Sequence, residues 1–310
     1  ALNGSVSTNK GFAGGVAPMD YATTTNRIIN PDVFYQKTAT YDYNDNVQSL
    51  GYNFINERNN SSASSSSTHL SASLDLKWDI LDWLSYQFTG GYSNTSSNSE
   101  SYMTEQTYYI AQKYRGYDYN SVTPGSAEFK AAVLPFGGEL YNNDGRQSSY
   151  NIQNKILISK AFDQNNRLNA LIGMELRSST NKSLGHTMWG YAPDRGEVIL
   201  RPTTLSDFQP ITGSGQSGWG ILEELYSGHW SKTNVTDNYL SFFATFAYSF
   251  MNRYVVNANV RNDASNRFGQ DTNHRLDPTY SFGFSWRASE EEFIKKHLKW
   301  ITDLNIRATY

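Results

Sequence analysis

The stretch Tyr239-Leu240-Ser241-Phe242-Phe243-Ala244-Thr245-Phe246-Ala247-Tyr248-Ser249-Phe250 decides the fold class. Its even positions are all apolar or aromatic, while its odd ones include Ser241, Thr245 and Ser249. A period of two is the signature of a strand with one apolar and one polar face. Immediately downstream, Tyr254, Val256, Ala258 and Val260 alternate with Arg253, Asn257, Asn259 and Arg261. The pattern recurs, in the same phase, in Leu70/Ala72/Leu74/Leu76/Trp78, Leu84/Tyr86/Phe88, Leu168/Ala170/Ile172/Met174/Leu176, Tyr280/Phe282/Phe284/Trp286 and Leu304/Ile306/Ala308. With a looser run from Tyr150 to Phe162, this predicts about eight strands of roughly 8–13 residues, long enough to cross a bilayer when tilted.

The connections separate a membrane barrel from a soluble sandwich. Short turns at Asp79 to Asp82, Asp163 to Asn166 and Met251-Asn252 join strands in pairs, and long polar stretches near 94–149 and 178–238 separate the pairs. Short turns at one end and long loops at the other are the layout of an outer-membrane barrel. Trp78, Trp83, Phe162, Phe250, Tyr254 and Trp286 gather beside the short turns as an interfacial girdle would. Residues 1–68 read as a further long extracellular loop region, ending in the Asn/Ser-rich run from Asn59 to Thr68, with the barrel strands in 69–310. Ser289 and Glu292, three apart before Phe293 and Ile294, predict a capping box opening a short helix on the short-turn side. The competing fold is a secreted or surface-attached β-rich carbohydrate-binding or adhesin module, whose polar faces simply form its outside.

Composition agrees and excludes other classes. Among 310 residues 15% are aromatic, 18% are charged and none is Cys, which rules out disulfides, thiolate nucleophiles and Cys-ligated metals. A net charge of −3 gives no basic footprint for nucleic acid. No run of 18 apolar residues occurs for a transmembrane helix, and Ala1-Leu2-Asn3-Gly4-Ser5 does not read as a signal peptide.

The segments Arg261-Asn262-Asp263-Ala264-Ser265-Asn266-Arg267-Phe268-Gly269, Tyr280-Ser281-Phe282-Gly283-Phe284-Ser285-Trp286-Arg287, Ser289-Glu290-Glu291-Glu292-Phe293-Ile294 and Asp303-Leu304-Asn305-Ile306-Arg307-Ala308-Thr309-Tyr310 carry a resemblance. In order and spacing they are similar to conserved-type motifs of the SusC/RagA family of TonB-linked outer-membrane transporters of Bacteroidetes. Leu168 to Glu175 and Asn238 to Phe243 also resemble its strands, and Ala264, Asn266 and Asp277-Pro278-Thr279 depart from its usual residues. The resemblance implies an all-β, antiparallel transmembrane barrel of the plugged 22-stranded class. It also implies a SusD-like surface lipoprotein as lid, energy from TonB through a plug, and an oligosaccharide or peptide as the imported nutrient. The family's plug and TonB box find no match in these residues, so the expectation is an internal barrel segment. A complete eight-stranded barrel is the alternative.

No enzymatic chemistry is expected. Gly213-x-Gly215-x-x-Gly218 follows no hydrophobic strand, and Asp42-x-Asn44-x-Asn46 lacks the glycine and glutamate of a calcium loop. Cofactors are therefore expected to be none, with an irregular calcium site in the Asp/Asn-rich loops left open. His69, His186, His229, His274 and His297 are isolated, and Glu223-Glu224 with Asp303 make no convergent carboxylate pair. The long stretches are rich in aromatics, and Trp189, Tyr191, Trp219, Trp230, Tyr114 and Tyr117 are the candidates for contact with ligand or partner. Aromatic faces beside Asn, Asp and Arg suit sugars and protein partners alike. The alternative role for these rings is packing the loops onto one another.

Overall fold

The alternating runs pair into one antiparallel sheet. A computed structural model describes residues 1–12, 18–41, 47–200, 230–267, 276–298 and 300–310. The strands are β1 (Leu2–Gly11), β2 (Gln36–Tyr41), β3 (Val47–Tyr52), β4 (Ser61–Leu81), β5 (Leu84–Met103), β6 (Gly138–Ala161), β7 (Arg167–Ala192), β8 (Val198–Ile199), β9 (Trp230–Phe250), β10 (Tyr254–Ser265), β11 (Leu276–Arg287) and β12 (Asn305–Thr309). Among the described residues, short α-helices connect them: α1 (Pro18–Thr24), α2 (Phe54–Asn59), α3 (Tyr108–Ile110), α4 (Ala127–Ala131) and α5 (Glu292–His297). The main sheet runs β1-β4-β5-β6-β7-β9-β10-β11-β12, with β8 beside β7, and β2-β3 form a separate hairpin. β1 and β12 stand at its two ends, so the sheet is open and the expected alternative of a self-closed eight-stranded barrel does not hold.

The even-numbered faces are not covered. Trp78 is 64% exposed, Ile172 56% and Phe282 55%, and Leu74, Leu76, Phe242, Phe246 and Phe284 are exposed with them. No second sheet or helical layer packs on these side chains among the described residues. Bare apolar surface on this scale is incompatible with water and compatible with lipid. The apolar set ends along the strands at Leu70, Tyr92, Tyr150, Leu176, Leu240 and Val260. Tyr92 pairs with Tyr150, and Leu176 pairs with Leu240 one row lower, so this edge steps down from strand to strand. That is the stagger of tilted barrel strands. Tyr92, Tyr150 and Tyr280 are exposed along this edge, a second aromatic ring opposite the one at the short turns.

The strands extend well past this band, and here the sequence expectation needs correction. The stretches 94–149 and 178–238 are not loops throughout: β5 runs to Met103, β6 begins at Gly138, β7 reaches Ala192 and β9 begins at Trp230. Likewise 1–68 holds β1, α1, the β2-β3 hairpin, α2 and the start of β4. The Ser-rich run pairs residue by residue with β1 on one side and β5 on the other, Ser67 opposite both Ser7 and Ser97. Outside lipid both faces of a strand meet water, so alternation vanishes while backbone pairing continues.

The predicted capping box is also replaced. Ser289 lies in a 3-10 turn, Ala288–Glu290, and the N-cap of α5 is Glu291, with no side-chain cap. The Glu291 carboxylate instead accepts bonds from Arg253 Nη1 (3.0 Å), Tyr254 OH (2.5 Å) and Trp286 Nε1 (3.1 Å). These bonds hold its carboxyl below the ordinary range, Tyr254 and Trp286 contributing most.

Candidate functional site

The molecule's one hydrophobic cluster among the described residues lies beyond the band, on the long-connection side. Met103, Ile110, Tyr114, Leu134 and Trp189 are buried together there, with Tyr109 packed against them. β5, β6 and β7 supply the base, and the 104–137 connection folds over it through α3, a π-helical turn at Ala111–Arg115, and α4. The backbone passes closely at the base: a Cβ on Gly190, which has φ +76°, would lie 1.9 Å from the Leu200 carbonyl oxygen. Only glycine fits that approach and that conformation together.

Carboxylates staple this cap. Glu139 accepts from Tyr109 OH (3.0 Å), from Lys113 Nζ (3.2 Å) and from Tyr114 OH, while Trp189 Nε1 donates to Tyr114 OH at 2.9 Å. Burial alone would lower Lys113, but Tyr109, Tyr114 and Glu139 hold its ammonium above the ordinary lysine range. Burial, reinforced by Glu139, pushes Tyr114 up as well, so its phenol stays protonated. Glu57, buried in α2, accepts from the backbone N–H of Tyr108 (2.6 Å) and Tyr109 (3.4 Å), the free donors at the start of α3. Burial raises its carboxyl despite those bonds. Glu105 receives Gly137 N–H (2.7 Å), Tyr119 OH and Arg195, and Asp118 receives Gly51 N–H (3.1 Å) from β3.

The predicted contact residues separate on this framework. Trp189, Tyr114 and Tyr117 are buried, the first two hydrogen-bonded to each other. Arg115 lies over the Tyr117 ring at 5.7 Å. Tyr191 is half-buried and meets Tyr102 edge-on at 5.3 Å. Trp230 is exposed and stacks on His186 at 4.8 Å. Trp219 lies outside the described residues, as do the Gly213–Gly218 motif, the Asp42–Asn46 stretch and Glu223-Glu224. Among the described residues no three His, Asp or Glu gather as metal ligands.

A depression that the sequence reading missed lies on the sheet where side chains are smallest. It has a volume of about 620 Å³ and is lined by Ser71, Ser93, Ser149, Asn151, Arg177 and Tyr239, among others. Ser71, Ser93, Ser149 and Ser179 occupy one row across β4 to β7, with the Ser93 and Ser149 hydroxyls 2.7 Å apart. In the next row Gly91 leaves space, and Arg177 lies over the Tyr239 ring at 5.4 Å. Beside it Glu175, Arg177, Ser241, Arg261 and Asp263 form a lattice on the polar face: Arg261 Nε is 2.9 Å from Asp263, and Arg177 Nε is 3.4 Å from Glu175. Hydroxyls, one aromatic face and a paired guanidinium make a surface for a hydroxylated or amide-bearing solute. The signal was present as serines at odd positions, which become a row only when the register is known.

No family model matches the sequence. Over 256 residues, 72% of the chain, it is 22% identical to the TonB-dependent receptor SusC of Bacteroides thetaiotaomicron, and it covers 24% of that protein. Over 86 residues it is 34% identical to the TonB-dependent receptor P39 of Formosa agariphila, covering 27% of the chain and 8% of the relative. The fold superposes on the RagAB peptide transporter with a TM-score of 0.51 at 20% identity, over 80% of the chain and 22% of that one. The chain is SusC/RagA-like. The RagAB peptide importer in the "open-open" state gives a TM-score of 0.52 at the same identity and coverage. The chain therefore spans about a quarter or less of the length of the relatives it matches. Each of these proteins is named a receptor, transporter or importer, none an enzyme.

Proposed function

We propose that this SusC/RagA-like chain is wall and cap of an outer-membrane transporter that imports an oligosaccharide or a peptide. The observation that carries the reading is the bare apolar face bounded by two aromatic rings, which only lipid satisfies. The SusC/RagA resemblance implies the rest, a SusD-like surface lipoprotein above the rim and TonB acting through a plug, and the relatives' names support TonB dependence and peptide transport. In this reading the even-numbered side chains face outer-membrane lipid, the odd-numbered ones face the lumen, and the cap stands outside the cell. Recognition belongs to the depression around Arg177 and Tyr239, because Trp189 and Tyr114 are buried and bonded to each other and Tyr117 is buried beside Arg115.

Two measurements test this. Full-length protein extracted from outer membranes should show heat-modifiable gel mobility, and recovery of all of it in the soluble fraction would overturn the reading. Tyr239→Ala with Arg177→Gln should slow uptake of the cognate nutrient by about tenfold, the scale of losing an aromatic and an arginine contact. Unchanged uptake would remove the depression from the transport path.

A further inference from the structure

The outward face continues above the upper aromatic ring, and its charges are arranged in an unexpected way. On that face β6 and β7 place Arg146 directly opposite Lys182, and β9 places Lys232 opposite Leu184, diagonal to Lys182. All three cations are exposed, and none has a carboxylate partner among the described residues. The other charges on that face of β1 to β9 above the ring are Lys10, Glu100 and Asp144. Both acids are engaged by amides, Glu100 by Asn142 at 3.1 Å and Asp144 by Asn98 at 2.9 Å. Like charges directly opposite in an antiparallel pair are destabilising unless an anion lies between them.

We infer that Arg146, Lys182 and Lys232 form a binding site for the phosphate groups of an outer-leaflet glycolipid of the lipopolysaccharide class; this rests on the barrel reading above. Position selects the occupant. Arg146 lies four residues beyond Tyr150, Lys182 six beyond Leu176 and Lys232 eight beyond Leu240. At a rise of ~3.3 Å and a tilt of ~40°, those steps correspond to roughly 10, 15 and 20 Å above the apolar band. A phospholipid headgroup layer reaches only about 5–8 Å past the hydrocarbon edge. A headgroup of several phosphorylated sugars spans the distance, and arginine and lysine are the side chains that hold phosphate. The exposed Trp230, stacked on His186 on the same face, offers a flat ring to the sugars.

The experiment uses purified full-length protein in detergent and a fluorescent rough-type lipopolysaccharide as probe. The triple variant Arg146→Gln, Lys182→Gln, Lys232→Gln should bind it at least about tenfold more weakly, whereas Lys155→Gln on the polar face should bind as the parent does. Dephosphorylated probe should bind the parent as weakly as the intact probe binds the triple variant, and excess inorganic phosphate should not displace the intact probe. Parent-like binding by the triple variant, equal binding of the dephosphorylated probe, or displacement by inorganic phosphate alone would each overturn the proposal. Heat-modifiable mobility is recorded for every sample: a parent without it overturns the barrel reading itself, independently of binding. If only the triple variant loses it, Lys232→Gln alone is read, with a loss of two- to threefold expected and no loss counting against the site.

Discussion

The wall between the two aromatic rings and the cap above β5 to β7 solve opposite problems. In the wall, apolar side chains stay exposed, and order comes from the backbone ladder, as in the twelve paired positions of β6 with β7 from Tyr150 opposite Ser178 to Ala161 opposite Arg167. In the cap, Ile110, Leu134 and Trp189 are buried while buried or half-buried carboxylates reach across 25 to 51 residues of chain to tie backbone and phenols. The wall is built for a solvent that accepts apolar groups and offers no hydrogen bonds. The cap is a small water-soluble core, and its stability should respond to mutation like one.

The largest contrast is expected at Trp189. Trp189→Ala empties the centre of the cap, at a cost of about 3–5 kcal/mol. Hydrogen exchange in 104–137 should rise sharply while heat-modifiable mobility of the full-length protein persists; equal loosening of wall and cap would abolish the distinction. Next comes Ile172→Arg, on the outward face of β7 midway through the band. There a charge costs about 2–4 kcal/mol in lipid and very little in water. Reduced folding efficiency into detergent or vesicles is expected, and an unaffected yield would place that face against water.

The smallest effect sharpens the wall's lower rim. Glu291 sits below the ordinary carboxylate range when folded, so the unfolded chain takes up its proton more readily. The stability that it contributes is present above the ordinary value near 4.5 and is lost as pH falls through the depressed folded value. Acidification should therefore speed exchange in 288–304, and Glu291→Gln should flatten that dependence. Persistence of the same pH profile in the variant would assign it to another group.

Legibility in the sequence follows the same division. Strand phase and the short turns were readable because lipid imposes a strict period of two on residues such as Leu240 to Phe250. The Ser61 to Thr68 run was not, because hydroxyl-bearing residues in water carry no phase, and only pairing with β1 and β5 makes them a strand. The sequence marked Trp189, Tyr114 and Tyr117 as notable rings without distinguishing contact from packing. For Tyr114, and for Trp189 bonded to it, that distinction depends on Glu139, which lies 25 residues from Tyr114. Ser289 and Glu292 had the spacing of a capping box, but the turn seats Glu291 at the N-cap and spends its carboxylate on Arg253, Tyr254 and Trp286. The depression arises from rows across four strands, which no single stretch displays.

The length of the paired strands has a consequence for scale. β9 has 21 residues and β7 has 26. At ~3.3 Å per residue and ~40° of tilt, β9 rises roughly 50 Å, about twice the height of the greasy belt. The paired strands thus continue about as far beyond the belt as they run across it, so their far ends stand well clear of the surrounding lipid.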